Sequence, residues 1–415
     1  MDEIFFINPQ HEQFGPVSPD VYSTFSNYLM ERRYSDSTIR AYTASLRHFG
    51  HWLAKMPVCE KEINHRTVQT FLDRHLPVCR CPDSFPRNLK TVRAALNQLL
   101  QMKGLSRFIE SHGETPPEIA AAIEDFDCYL ARICGLAEAT CWYHRRHVRI
   151  FLLWLFTEEP VEINKITPEA ICRFVAQQAG KYRTGSMGVM VYSLRTYLKF
   201  LRFAGHETVC ESAKIPRPPN WSAANLPNAL RPDELKKFWD AFNRSTAIGK
   251  RDYAMARCLA DLGLRCCEVS QLQLQSFDWH RGLLSLTKTK SRREDILPIP
   301  DATGQAVVNY LREGRPETKS RAVFVHHRAP VGIAVQGSTV RGVVRRAFSR
   351  AGLTWTGTHI LRSTIASRLL NGGVSLKEIA DILRHRSLDT TRLYTKIDLG
   401  NLSHVALPWP ERSGS

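Results

Sequence analysis

Nothing in this 415-residue sequence is apolar for long: the longest uninterrupted run, Ile150 to Phe156, is seven residues, against the roughly 18 that a membrane-crossing helix needs. The N-terminus, Met1-Asp2-Glu3-Ile4-Phe5-Phe6, lacks the basic segment that precedes the apolar core of a secretion signal. A cytoplasmic protein is therefore expected. Acidic residues are in deficit, 40 Asp+Glu against 57 Lys+Arg. Low-complexity tracts are missing, and the 43% apolar and 23% charged residues exclude a disordered or collagenous chain. No G-x4-G-K-[ST] loop, H-E-x-x-H helix or G-x-S-x-G elbow occurs, so nucleotide hydrolysis, zinc proteolysis and α/β-hydrolase chemistry have no motif behind them.

What is present begins with the net charge of +17. It says nothing about fold; it points to phosphate backbones, anionic membranes or acidic proteins as partners, with a nucleic acid the leading expectation. The length suits two or three domains. Eleven cysteines in a chain of this size read as reduced thiols, not as a disulfide framework. Cys59, His75, Cys79 and Cys81 lie within 23 positions and could supply four zinc ligands. Yet Cys79-Arg80-Cys81 is C-x-C, not the C-x2-C of a zinc knuckle, and Pro77 and Pro82 mark an irregular loop, so ordinary loop and core thiols are expected and no metal is assigned.

The chain repeats itself. Phe25, Tyr28 and Leu29 recur as Phe126, Tyr129 and Leu130; Thr38, Arg47, Phe49, Trp52 and Leu53 recur as Thr140, Arg149, Phe151, Trp154 and Leu155; Arg93, Leu96 and Leu99 recur as Arg195, Leu198 and Leu201. The constant order at a separation near a hundred predicts duplication of a whole domain, over 18–106 and 118–213. Apolar residues at steps of three and four make both copies helical, with Ser35-Asp36-Ser37 as a capping signal in the first. One helix of the second copy carries Arg132, His144, Arg145, Arg146, His147 and Arg149 among aromatics, either a solvated face or a phosphate-contacting one. With the net charge, DNA contact by Arg145, Arg146 and Arg149 is expected.

A proline-rich basic linker follows over 214–232, with Lys214 and Arg217 as further phosphate contacts. The last domain is expected over 233–397, ahead of a tail at 398–415. Helical patterning runs from Asp233 to Phe242 and from Arg251 to Leu274; Leu283 to Thr287 and Ile296 to Ile299 flank a basic segment as a hairpin-like strand pair. Arg265 follows Gly263 at a helix start, with Glu268 one turn on. His359 and Arg362 stand at i, i+3 on one helix face. His385 comes next, and Tyr394 nine residues after it.

In these residues the sequence resembles the tyrosine recombinase (phage integrase) family, whose signature is an arginine, a hairpin lysine, H-x-x-R, a further His or Trp, and a nucleophilic tyrosine. Arg265, Lys290, His359, Arg362, His385 and Tyr394 fill those places in order, and Glu268 matches the family's acidic residue after the first arginine. The lysine is chosen by its distance before Pro298, with Lys288 as the fallback. Arg384 departs from the family, many members of which have glycine before this histidine. The resemblance implies a mainly α protein: two tandem SAM-like helical DNA-binding domains, clamping the duplex with an α+β catalytic domain that carries a small antiparallel sheet. The tail, with Leu399, Leu402, Val405 and Leu407, is similar to those of transposon-borne members, among which the recombinase-in-trio elements are the expected subgroup.

That family's chemistry suits the residue types. A phenol can displace a DNA strand and stay covalently attached, which is the role implied for Tyr394. Two permanently charged, planar guanidiniums, Arg265 and Arg362, match the non-bridging oxygens of a pentavalent phosphorus. Lys290 would protonate the leaving 5′ oxygen, His359 would assist proton transfer from the phenol, and His385 would hydrogen-bond the phosphate. No cofactor is implied. The partners implied are double-stranded DNA, further copies of the chain in a tetramer on it, and partner recombinases. A type IB topoisomerase shares this chemistry, and a DNA-binding accessory protein could share the fold without it.

Overall fold

The computed structural model describes residues 18–56, 63–105, 115–156, 161–182, 184–206, 215, 228–286 and 294–384. They fall into two compact units, one of residues 1–109 with 226–415 and one of 110–225. Among the described residues no helix is long and apolar enough to cross a membrane.

The larger unit opens with a helical bundle. Helix α1 (Pro19–Glu31) leads through Ser35, which caps the backbone N–H of Thr38, into α2 (Asp36–Leu53). Helix α3 (His65–Thr70) widens into a π turn over Phe71–His75 and tightens over Leu76–Val78. Asn88 then caps α4 (Leu89–Met102). Phe25, Leu29, Leu46, Phe49, Phe71, Leu96 and Leu99 form its core, each large side chain contributing about 2 kcal/mol by leaving water.

The smaller unit repeats that plan with α5 (Pro117–Cys128), a π turn at Tyr129–Ile133, α6 (Glu138–Leu155), α7 (Pro168–Gln178) and α8 (Thr184–Phe203). The repeated positions do the same work in both copies: Phe126, Leu130, Phe151, Leu198 and Leu201 are buried like their counterparts. An aromatic trio is also reproduced. Phe49 and Trp52 lie 5.2 and 5.4 Å from Phe71, and Phe151 and Trp154 lie 5.3 and 5.4 Å from Phe174.

One feature of the basic helix corrects the sequence reading. His144 and His147 belong to no outer face of α6: both are buried, and His147 shares a hydrogen bond of 3.1 Å between Nδ1 and Ser193 Oγ on α8.

The larger unit continues with α9 (Pro232–Asp240), α10 (Ala247–Asp261) and α11 (Cys266–Gln271). The helical patterning from Arg251 to Leu274 thus covers two helices, broken at Leu262–Arg265. Strands β1 (Phe277–Asp278), β2 (Leu283–Leu286) and β3 (Asp295–Pro298) form an antiparallel sheet in that order, Leu284 opposite Leu297. The expected strand pair is there; β1, only two residues long, had no periodicity to announce it. Helices α12 (Asp301–Glu313), α13 (Gly337–Arg350), α14 (His359–Asn371) and α15 (Leu376–Ile382) complete the fold. Helix α10 runs through the core, its Met255, Cys258 and Leu259 packing among Phe238, Tyr310, Val344 and Phe348. The backbone N–H of Val331 donates to the Arg32 carbonyl at 3.1 Å, tying this fold to the first bundle.

Burial, with help from Arg146 and His144, pushes the His147 imidazole from its usual 6.5 down to about 4. Burial and Arg251 lower His327 to about 4 as well. The unfolded chain takes up these protons near pH 6.5 and the folded chain only near 4, so stability is complete above 6.5 and drains away as pH falls through that window. The unfolding temperature of the full chain is expected to drop between pH 6.5 and 4, and His147→Gln should flatten part of that slope. A variant with the wild-type slope would assign the acid sensitivity elsewhere.

Candidate active site

The break between α10 and α11 is where the site is built. Gly263 has φ +58, the left-handed region, and a Cβ there would lie 2.7 Å from Leu383 Cδ2. Only glycine meets both demands. The turn makes Arg265 the N-cap residue of α11, with its backbone in the extended region. It also presents the Gly263 carbonyl to α14, where Arg362 Nη1 donates to it from a buried side chain. A second tie runs alongside, Cys266 Sγ donating to Thr358 Oγ1 at 3.3 Å. These two contacts draw the start of α11 and the start of α14 together. Arg265, His359 and Arg362 are gathered as a result, His359 being the exposed first residue of α14. Helix N-termini carry unpaired N–H groups and the positive end of the helix dipole, so a negative charge is favoured there.

Glu268, 3% exposed, anchors the arrangement. Its carboxylate accepts from the Arg265 backbone N–H at 2.8 Å, from Arg265 Nη1 at 2.7 Å and from Arg384 Nη2 at 2.8 Å. Burial works against the charged form of Glu268, but Arg384 and the two Arg265 donors outweigh it and hold its pKa below the usual carboxylate range. Arg384 reaches it from beyond α15. Its backbone stands at φ +53, a conformation that favours glycine, and its side chain is 5% exposed. Asp295 at the start of β3 lies 3.8 Å from Arg384 Nε. The residue that departs from the family pattern is thus built into the site as a second cation on Glu268, in a backbone conformation that favours glycine. Sequence spacing could not have found it, since its partner is 116 positions away.

Of the other expected site residues, Lys288, Lys290, His385, Tyr394, Lys214 and Arg217 lie outside the described residues, as does the tail. On α6, Arg145 is already engaged: it pairs with Asp127, and with Glu138 at 2.7 Å. Arg146 lies 5.4 Å over the Trp142 ring, and Arg149 is half-buried. Of the cysteine and histidine cluster, Cys59 lies outside the described residues, while His75, Cys79 and Cys81 come together with a residue the spacing had not included, His48.

The chain is similar to known proteins over nearly its whole length. Residues 228–399 match the phage integrase family and residues 23–102 the N-terminal SAM-like domain of phage integrases. That second match falls on the first bundle, to which the internal repeat ties the second. The chain is 30% identical over 401 residues to y4rA of Sinorhizobium fredii strain NGR234, named as an integrase/recombinase, covering 95% of each chain. It is 28% identical to the tyrosine recombinase XerD of Listeria monocytogenes, over 68% of this chain and 96% of that one. Among solved structures, XerH site-specific recombinase bound to a palindromic difH substrate shares the fold with a TM-score of 0.53 at 16% identity, over 97% of this chain and 99% of that one.

Replacing Glu268 by Gln leaves two guanidiniums around a neutral amide, and breaking a buried pair in this way costs about 3 kcal/mol. Glu268→Gln should therefore lower stability measurably in denaturant titration. Adding Arg384→Gly should recover part of the loss, because one stranded charge and the strained backbone go together. Strictly additive losses would mean that Arg384 and Glu268 are not coupled.

Proposed function

The chain belongs to the phage integrase family, the tyrosine recombinases, and from that membership we propose that it cuts and rejoins DNA at specific sites through a 3′-phosphotyrosyl intermediate, with Tyr394 as the nucleophile. The observation that carries this reading is the convergence of Arg265 and Arg362 on the Gly263 turn, with His359 heading the same helix as Arg362. In the proposed step the Tyr394 oxygen bonds to the scissile phosphorus as the bond to the 5′ oxygen breaks. His359 assists removal of the phenolic proton, and Lys290 supplies a proton to the departing 5′ oxygen. Arg265, Arg362 and His385 hold the non-bridging oxygens, where charge builds up in the transition state. Attack by the freed 5′ hydroxyl on the phosphotyrosine reverses the sequence, so strands rejoin without an outside energy source.

Glu268 is the positioning residue of this scheme. It fixes the Arg265 guanidinium by a charge-assisted hydrogen bond and stays ionised itself. The net charge of +17 supports a DNA duplex as substrate. Arg146 and Arg149, with Lys214 and Arg217, are assigned to phosphate contact, while Arg145 holds α6 to Asp127 of α5. Recombination brings two duplexes together, so the working form is taken as a tetramer of the chain on DNA, with the tail over 398–415 linking protomers and partner recombinases joining where the element encodes them. A mobile element is the proposed setting, acting on DNA in the cytoplasm, at the nucleoid.

Tyr394→Phe removes one hydroxyl and no charge. It should abolish covalent attachment to a nicked suicide substrate, read as an adduct on a denaturing gel, and leave the gel shift of the same DNA nearly unchanged. An adduct formed by the Phe variant would remove Tyr394 from its role. The acid is tested separately with a 5′-thio leaving group, which departs with little help from a proton. That substrate should restore cleavage to Lys290→Ala and not to Arg265→Ala; rescue of Lys288→Ala in place of Lys290→Ala would move the acid to Lys288.

A further inference from the structure

The first bundle contains a polar cluster in its interior that DNA cleavage does not use. His48 is fully buried on α2 between core residues. His75 closes the π turn, whose wider winding brings its ring round toward α2, 5.4 Å from that of His48. Cys79 and Cys81 follow on the irregular segment before α4, Cys81 being buried as well. The four side chains offer Nε2, Nε2, Sγ and Sγ, and all four atoms lie within 4.8 Å of one another.

The separations have a specific size. Zinc bound at about 2.0 Å to imidazole and about 2.3 Å to thiolate, with tetrahedral angles, sets nitrogens about 3.3 Å apart and nitrogen from sulfur about 3.5 Å. Here His48 Nε2 and His75 Nε2 are 3.4 Å apart, His48 Nε2 and Cys79 Sγ 3.2 Å, and His75 Nε2 and Cys81 Sγ 3.5 Å. The surroundings orient the donors. His48 Nδ1 faces the Pro86 carbonyl at 3.1 Å, which holds the proton on that nitrogen and leaves Nε2 its lone pair. The Cys81 backbone N–H points at Cys79 Sγ, 3.3 Å away, and Arg87 Nη2 grips the Cys81 carbonyl at 2.7 Å. Phe85 stacks on the His48 ring at 5.0 Å.

We infer that His48, His75, Cys79 and Cys81 bind one structural Zn²⁺ ion, which fastens the Cys79–Cys81 loop and the π turn to α2. Four protein donors leave no position for substrate, so the site is structural. Two soft sulfurs and two imidazoles select zinc over the oxygen-preferring divalent ions. Two thiols each lose a proton on binding, and the resulting charge is zero, which suits a buried site. Among the described residues the second bundle, built on the same plan, has no such set, and Ile150 stands where the 102-residue offset places the counterpart of His48.

The test uses the full chain, grown with zinc and dialysed against a zinc-buffered solution. Elemental analysis should give about one zinc per chain, falling below about a tenth in Cys79→Ser/Cys81→Ser. Cys59→Ser and Cys172→Ser should each keep the full complement. Replacement by Co²⁺ should give the intense ligand-field bands of a tetrahedral ion together with sulfur-to-cobalt charge transfer, and His48→Asn should weaken both. A wild-type chain that retains no zinc overturns the site, as does a double variant that keeps it or loss of the metal in Cys59→Ser. Should the double variant not fold, the wild-type cobalt spectrum decides: an octahedral spectrum without thiolate charge transfer overturns the proposal.

Discussion

Two guanidiniums converge on the buried Glu268 carboxylate, one from its own helix and one from the far end of the fold. An ion with so little water around it is stable only while both partners stay in place, and each partner is held in turn by the ion. Arg265 cannot swing away from the start of α11, and the chain beyond α15 is pinned at Arg384. The Gly263 turn, the arginine pair and the first residue of α14 keep their arrangement because this charge balance and the Arg362 hydrogen bond to Gly263 close on the same few residues. A site whose guanidiniums are fixed beforehand spends little free energy on reorganisation when phosphate charge develops.

How much of this the sequence disclosed depended on range. Arg265 and Glu268 sit three apart, as do His359 and Arg362, and helix geometry alone brings such pairs to one face. Gly263 before Arg265 was a legible stop signal, although the apolar pattern from Arg251 to Leu274 ran straight across it. The duplicated bundles were legible because the same large residues return in the same order and are buried in both copies. Contacts that cross the fold were not legible. Nothing local marks Thr358 as the partner of Cys266, or Arg384 as the partner of Glu268, and β1 is too short for alternation to show. On α6, two histidines among arginines looked like part of a basic face, whereas helical winding turns His144 and His147 inward while Arg145 and Arg146 stay nearer the surface.

The cysteine cluster shows the same limit from another side. Three of its four members lie within seven positions and were visible as a group. His48 is 27 positions upstream of His75 and falls in the run Leu46-Arg47-His48-Phe49, where a histidine reads as part of an ordinary amphipathic helix. The C-x-C spacing looked wrong for a zinc knuckle because a knuckle turns on itself. Here the two cysteines meet donors from a helix and a π turn, so their spacing answers to a different geometry.

Duplication also sets a kinetic problem. Two bundles with interchangeable aromatic trios, Phe49, Trp52 and Phe71 in one and Phe151, Trp154 and Phe174 in the other, are joined in a single chain, and during folding a helix of either copy can enter the core of the other. Tandem homologous domains are prone to this kind of misassembly, and packing energy alone discriminates poorly between near-identical cores. The two copies differ where the first buries His48 and the second has Ile150, and again where the second buries His147 and the first has Ser45. A helix carrying an imidazole into an apolar core strands a polar group, and a helix carrying isoleucine into the histidine and cysteine cluster leaves that cluster one donor short. Each exchange is penalised in both bundles at once, so the buried polar positions that differ between the copies, His48 in one and His147 in the other, favour the return of each α2-like helix to its own core.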